Sequence, residues 1–235
     1  MYKSLQLVKI TDTLDTLEAR IAERFADCGL FQVCRELKGL TASSAERIAW
    51  ILKPNWALRA GVLLVIAACI GSGVWGIRHI HLQDATPSLT EFVQFTEAFT
   101  NELVLVGASV FFLMSLETRI KRARTLKALH ELRSIAHVVD MHQLTKDPFV
   151  SYAAGQATPS SPKRELNAFE LRRYLDYCAE LLALIGKTAA LYSQKMPDAA
   201  IVSAASEVES LCASLSHKVW QKIMIIHADQ ARVVG

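Results

Sequence analysis

The sequence has too little charge for an ordinary water-soluble fold. Only 21% of its 235 residues are charged, whereas 51% are hydrophobic. Soluble domains carry about 25% charged residues, which are needed to cover their surface. So apolar a chain is also no candidate for intrinsic disorder. The formal net charge of +3 is too small to indicate a nucleic-acid partner.

The sequence also lacks the motifs that identify common enzymes and metal sites. It contains no Walker loop, no GxSxG, no GxGxxG and no CxxC pair. The cysteines give no disulfide pattern, since four lie in segments expected to be cytoplasmic and one in an apolar run (Cys28, Cys34, Cys178, Cys212; Cys69). These absences lower the expectation of an enzyme without excluding one, and no cofactor is indicated.

The apolar residues are concentrated in two runs. The first holds 18 uncharged residues between Arg59 and Arg78, with Trp56 and Trp75 near its ends. At about 1.5 Å per residue it nearly crosses a hydrocarbon core of about 30 Å, and tryptophan favours both interfaces. This run predicts a transmembrane helix over about residues 58–78.

The second run is shorter, with 14 residues at positions 103–116 between two glutamates. Alone it spans only about 21 Å. Extension back to about residue 90 gives an adequate length and predicts a second span over 90–117. The consequence is that Glu102, and at the outer edge Glu97, enter the bilayer.

Basic residues indicate the orientation of the two spans. One group precedes the first span and a larger one follows the second (Arg47, Lys53, Arg59; Arg119, Lys121, Arg122, Arg124, Lys127), whereas the connecting segment carries mainly acidic residues. The positive-inside rule therefore predicts that both termini lie in the cytoplasm and that residues 78 to about 90 form a short external loop. The second group is expected to contact anionic lipid headgroups. The N-terminus has no apolar signal-peptide region.

The remaining sequence predicts helices only. Residues 1–55 form N-terminal amphipathic helices with Leu14, Leu17 and Ile21 on one face, and residues 41–44 are expected to form a loop. The membrane part covers 56–118, a stem helix continuing from the second span covers 119–146, and a linker with three of the six prolines covers 147–163. Residues 164–235 are expected to form a helical hairpin with a turn at 196–198.

Polar residues of the second span are candidates for a pore lining. Glu102 and Ser109 share a helical face, and the candidate set is completed by three neighbours (Glu97, Asn101, Phe112). Carboxylates in a bilayer usually face a protein interior or water. In an oligomer the set would provide an acidic ring and an aromatic constriction. The alternative is that Glu102 only reaches the outer interface.

A group of histidines is the candidate metal site. His130, His137, Asp140 and His142 lie within 13 residues, and the first two share a helical face. Imidazole and carboxylate are ligands of zinc, iron and manganese, so a divalent metal is conceivable. The spacing matches no diagnostic motif, and a solvated histidine surface is the commoner explanation.

Two stretches, at 133–148 and 217–226, resemble segments of uncharacterised bacterial membrane proteins. The layout, with a helical N-terminus, two spans and a helical cytoplasmic tail, is similar to the SLATT-type two-transmembrane effectors of bacterial defence systems. This resemblance concerns layout and no specific motif. It implies a multi-pass protein of a bacterial inner membrane, and an oligomer that perturbs this membrane when its cytoplasmic part is triggered.

These observations predict an all-α protein, in which a two-span transmembrane hairpin carries a cytoplasmic helical bundle. The leading hypothesis for its function is a non-enzymatic, homo-oligomeric channel or pore-type assembly in the lipid bilayer. The first alternative is a membrane-anchored adaptor or accessory subunit whose helical domain binds a protein partner. The second is a metal-dependent membrane enzyme that uses the histidine group.

Overall fold

A computed structural model describes residues 4–26, 28–83, 89–146 and 166–234. Within those ranges all regular structure is helical, so the predicted all-α class is confirmed. The helices are α1 (Leu7–Phe25), α2 (Gly29–Leu52), α3 (Trp56–Gln83), α4 (Leu89–Leu144), α5 (Ala168–Lys195) and α6 (Ala199–Val234). The predicted linker at 147–163 lies outside the described residues.

The chain divides into two compact units. The first, called here the bundle, combines Met1–Ile51 with Arg124–Gly235, and the second, called the hairpin, is Leu52–Ala123. Helix α4 contributes to both, because it continues without a break through Ala123 and Arg124. This continuity agrees with the predicted extension of the second apolar run into a stem helix.

The bundle has one apolar core, to which every helix segment of the unit contributes. Helix α5 is its most enclosed member, with buried side chains such as Leu175, Leu181 and Ile185 on most of its surface. Helix α1 buries Leu14, Leu17 and Ile21, as the sequence pattern predicts. Burying side chains of this size contributes about 1.5–3 kcal/mol each before entropy costs, so the core is the main stabilising feature of the unit.

The loop expected at residues 41–44 is absent, and this prediction was wrong. Helix α2 passes through the segment, where Thr41 and Ser44 are fully buried. The hydroxyl oxygens of Thr41 and Thr188 lie 3.2 Å apart, and Ser44 donates to the Thr41 carbonyl at 2.6 Å. These contacts satisfy hydroxyls that would otherwise favour a turn, so the helix continues.

The turn between α5 and α6 lies where the sequence places it. Asp198 accepts a hydrogen bond from the Ala200 backbone N–H at 3.0 Å, as expected of a residue before a helix. Helix α5 begins with a capping box that the sequence reading had not identified. There Asn167 accepts from the Glu170 N–H, and the Glu170 carboxylate accepts from the Asn167 N–H, both at 2.9 Å.

Candidate functional site

The hairpin differs from the bundle because none of its described side chains is buried. Many of its large apolar side chains are instead exposed, with values of 67% for Leu63, 75% for Phe111 and 64% for Phe112. A continuous apolar surface of this kind is rare in soluble monomers and marks contact with a membrane or another protein.

Two stretches of the described helices are long and apolar enough to cross a membrane. They fall within residues Gly29–Gly76, which include the end of α2 and most of α3, and within Phe92–Leu144 of α4, and their most apolar windows contain no buried residue. A core helix of a soluble protein would have the same composition but would be covered by other helices. The exposure of these windows distinguishes them from a covered core helix.

Helices α3 and α4 pack antiparallel along the hairpin, and their contacts fix its register. A Cβ placed on Gly61 would lie 3.8 Å from Leu113, and one on Gly76 would lie 3.8 Å from Phe95. Between these points the Ser72 hydroxyl is hydrogen-bonded to the Glu102 carboxylate. The short second run therefore lies beside the first part of α3, with Glu102 level with Ser72.

This register places Glu102 within the length of the first apolar run. Ser72 precedes Arg78 by six residues, or about 9 Å of helix. Asn101, next to Glu102 in the sequence, lies at a similar depth but points to a different side. The pairing of Ser72 with Glu102 depends on the register of the two helices, which the sequence alone does not give.

The five candidate pore residues divide between two faces of α4. Glu102 and Ser109 are partly covered on the side toward α3, and the Ser109 hydroxyl donates to the Leu105 carbonyl at 2.8 Å. Glu97, Asn101 and Phe112 are exposed on the outside of the hairpin. The structure thus does not bring all five to one surface.

The basic end of the hairpin contains an ion-pair cluster around Glu117. Its carboxylate is 2.7 Å from the Lys121 ammonium and 3.7 Å from the Arg59 guanidinium, and it accepts from the Asn55 N–H at 3.4 Å. Lys121 also donates to the Leu52 carbonyl at 3.4 Å. The cluster joins the beginning of α3 to α4, and the sequence reading had not identified Glu117 as its centre.

The other candidate headgroup residues have varied surroundings. Arg119 is exposed and Arg122 is partly covered in the hairpin, while Arg124 and Lys127 are exposed in the bundle. Within the bundle, the Arg124 guanidinium stacks on the Trp50 ring at 4.1 Å from its centroid. Such a cation–π contact stabilises by about 0.5–1 kcal/mol at exposed sites.

The four residues of the histidine group do not converge. His130 and His137 are exposed, Asp140 accepts from the Gln143 side chain at 2.5 Å, and the ring of His142 packs against Gly29. Across the described part of the chain, no three His, Cys, Asp or Glu residues are placed to hold a metal ion.

Burial changes the protonation of several groups in the bundle. It lowers the pKa of the His142 imidazole below 6.5, and the nearby Lys146 ammonium lowers it further. It raises the pKa of the Cys178 thiol to about 12. A thiol that stays protonated is a poor nucleophile and metal ligand. The neutral His142 imidazole keeps a free lone pair, but its ring is packed against Gly29.

The bundle also presents an apolar groove between α1 and α5, with a volume of about 370 Å³. Leu5, Ile10 and Leu184 form part of its lining, and Lys9 and Lys187 also border it. The groove combines apolar contact with two lysines and the Glu180 carboxylate at its border.

The chain matches no protein-family model, no curated protein and no solved structure.

Proposed function

We propose that the protein is a two-span integral membrane protein, with residues of about 58–78 and 90–117 in the bilayer of a bacterial inner membrane. The observation that carries the proposal is the exposed apolar surface of the hairpin, whose two most apolar windows contain no buried residue. Exposing a large apolar side chain to water instead of burying it costs about 1.5–3 kcal/mol. Contact with lipid removes this cost along the whole hairpin.

The distribution of charge supports an orientation with the bundle in the cytoplasm. The Glu117 cluster and the basic residues that follow it lie at the end of the hairpin that contains Leu52 and Lys121. Basic residues are retained on the cytoplasmic side during insertion. The bundle segments precede α3 and follow the end of the second run, so a two-span hairpin leaves both on that side.

We further propose that copies of the protein assemble into a channel-type homo-oligomer. The supporting observation is that Glu97 and Asn101 are exposed on the outer surface of the hairpin, although they lie within the proposed second span. Polar side chains in a span are costly in lipid and usually face protein or water. In an assembly they would face its interior, while the bundle serves as the assembling or sensing part, as the SLATT-like layout implies.

Ion flux through reconstituted vesicles tests the channel. We expect flux from the full chain and a changed rate or ion preference in Glu97→Gln, because that carboxylate is exposed on α4. Thr96→Val is the matched control, since the Thr96 hydroxyl already bonds to the Phe92 carbonyl at 2.8 Å. No flux under any voltage, pH or lipid condition would contradict the channel.

A membrane-anchored adaptor is the second candidate function. The observation that favours it is the apolar groove between α1 and α5, with Lys9 and Lys187 beside it. Purification in mild detergent separates the two candidates. A reproducible hetero-partner lost in Leu5→Glu supports the adaptor, whereas a symmetric homo-oligomer without a partner supports the channel.

A further inference from the structure

Helix α4 carries a regular stripe of residues on the outer surface of the hairpin. The stripe repeats with spacings of four, three, four, three and four residues, and its members are Glu97, Asn101, Val104, Ala108, Phe111 and Ser115. All are exposed except Ser115, which is partly covered. Alternation of three and four is the heptad pattern by which two helices pack along a seam.

This stripe is distinct from the face of α4 that contacts α3. The α3-facing side contains Phe95, Glu102 and Leu113, which make the contacts that fix the hairpin register. At 3.6 residues per turn, the stripe lies roughly 150° around the helix from that face. The hairpin therefore leaves a complete second packing face uncovered.

Asn101 is the residue of the stripe that most requires a partner. Among the described residues it has no hydrogen bond, while the hydroxyls of Thr96, Thr100 and Ser109 each bond to a carbonyl of their own helix. Asn101 also lies level with Ser72, about 9 Å inside the end of the first apolar run. A free carboxamide at that depth is costly in lipid.

A second copy of the chain satisfies this requirement through the same stripe. A carboxamide contains both a donor and an acceptor, so two Asn101 side chains can pair with each other. Copies inserted in the same orientation have parallel α4 helices. In parallel helices, an asparagine that pairs with its counterpart in register specifies a two-stranded seam. The small side chains of Ala108 and Ser115 allow the helices to approach closely.

We propose that α4 is the self-association surface of this protein: two copies pack in parallel along Glu97, Asn101, Val104, Ala108, Phe111 and Ser115, with Asn101 paired to Asn101. This inference rests on the two-span placement proposed above. It deepens the homo-oligomer part of the channel proposal, because it names the partner and the surface by which copies associate. It also predicts opposite effects for two neighbouring polar residues, since the Asn101 pair is attractive and the two Glu97 carboxylates repel.

Energy transfer between donor- and acceptor-labelled copies of the full chain measures the association in vesicles of phosphatidylethanolamine and phosphatidylglycerol. Asn101→Val is expected to weaken the dimer by about 3- to 30-fold, the range for one hydrogen bond between membrane helices. Glu97→Gln is expected to strengthen it by about twofold, because it removes a like-charge contact. Thr96→Val, off the stripe, is expected to leave it unchanged.

Disulfide crosslinking tests the register of the seam. The parent protein carries Cys69→Ala, and its own crosslinking measures the contribution of the remaining native cysteines. In this parent, Ala108→Cys is expected to give a crosslinked dimer under mild oxidation by copper phenanthroline. The matched control is Ala67→Cys, an exposed alanine on α3 away from the stripe. Helix content measured by circular dichroism confirms that each variant is folded.

The seam is supported if Ala108→Cys gives more crosslinked dimer than Ala67→Cys and if, of Asn101→Val and Thr96→Val, only Asn101→Val weakens the association. Equal crosslinking at both positions, or equal effects of Asn101→Val and Thr96→Val, overturns it. A monomer that resists alkaline carbonate extraction overturns the seam and leaves the two-span placement intact. A crosslinked dimer without ion flux overturns the channel and leaves the seam intact.

Discussion

Replacement of Gly29 by alanine tests the packing of the bundle at one defined point. Gly29 begins α2, and the ring of His142 from α4 lies against it. A Cβ at this position would lie 3.1 Å from His142 Nε2 and 3.3 Å from Nδ1, with Cε1 closer still. The added methyl therefore requires the imidazole to move out of a half-buried site.

The magnitude follows from overpacking and helix propensity. Overpacking of a packed site costs about 1–3 kcal/mol. Gly39 of the same helix is the matched control, because a Cβ there would meet nothing within 4 Å. Gly39→Ala is therefore expected to stabilise by about 0.5–1 kcal/mol, whereas Gly29→Ala destabilises.

Thermal unfolding of the full chain in detergent, followed by circular dichroism, measures both variants. For a protein of this size 1 kcal/mol shifts Tm by about 2–4 °C, so the two shifts should be separable and opposite in sign. The double variant Gly29→Ala/His142→Ala should lose less than the sum of its single variants, because the collision is then absent. An equal gain from both glycine substitutions would refute the contact between α2 and α4.

Three further predictions concern buried groups of the bundle. Burial raises the pKa of the Cys178 thiol to about 12, so Cys178 should resist maleimide in the folded protein while half-buried Cys28 reacts. Equal labelling rates of the two cysteines would contradict this. Because burial lowers the pKa of His142, the unfolded chain binds its proton more readily, so stability should fall as pH drops below about 6.5. An unchanged slope in His142→Gln would exclude that residue as the cause. Thr188→Val should lower the free energy of unfolding by about 1–3 kcal/mol, because the buried Thr41 hydroxyl loses the Thr188 hydroxyl as its partner. The double variant Thr41→Val/Thr188→Val should recover part of this loss, as measured by urea unfolding.

Features set by local chemistry were predictable from the sequence. The apolar stripe through Leu14, Leu17 and Ile21 and the turn at Asp198 follow from spacing and capping preferences alone. The unbroken α4 follows from a continuous run of helix-forming residues. Each of these depends on residues only a few positions apart.

Features set by contacts between helices were not predictable. Small polar residues at 41–44 favour a loop locally, but burial against Thr188 makes them helical. Glu102 and Asn101 are neighbours in sequence, yet only the register with Ser72 shows that one faces α3 and the other faces outward. Tertiary contacts decide such cases, because they supply hydrogen-bond partners that the local sequence lacks.

The central claim is that the hairpin crosses a membrane and leaves the bundle on the cytoplasmic side. A membrane-impermeant maleimide applied to intact spheroplasts tests it directly, using Thr86→Cys in the connecting segment and native Cys28 as the internal reference. We predict labelling of position 86 in intact cells and labelling of Cys28 only after lysis. Labelling of Cys28 in intact cells, or of neither position before lysis, would contradict the proposed topology.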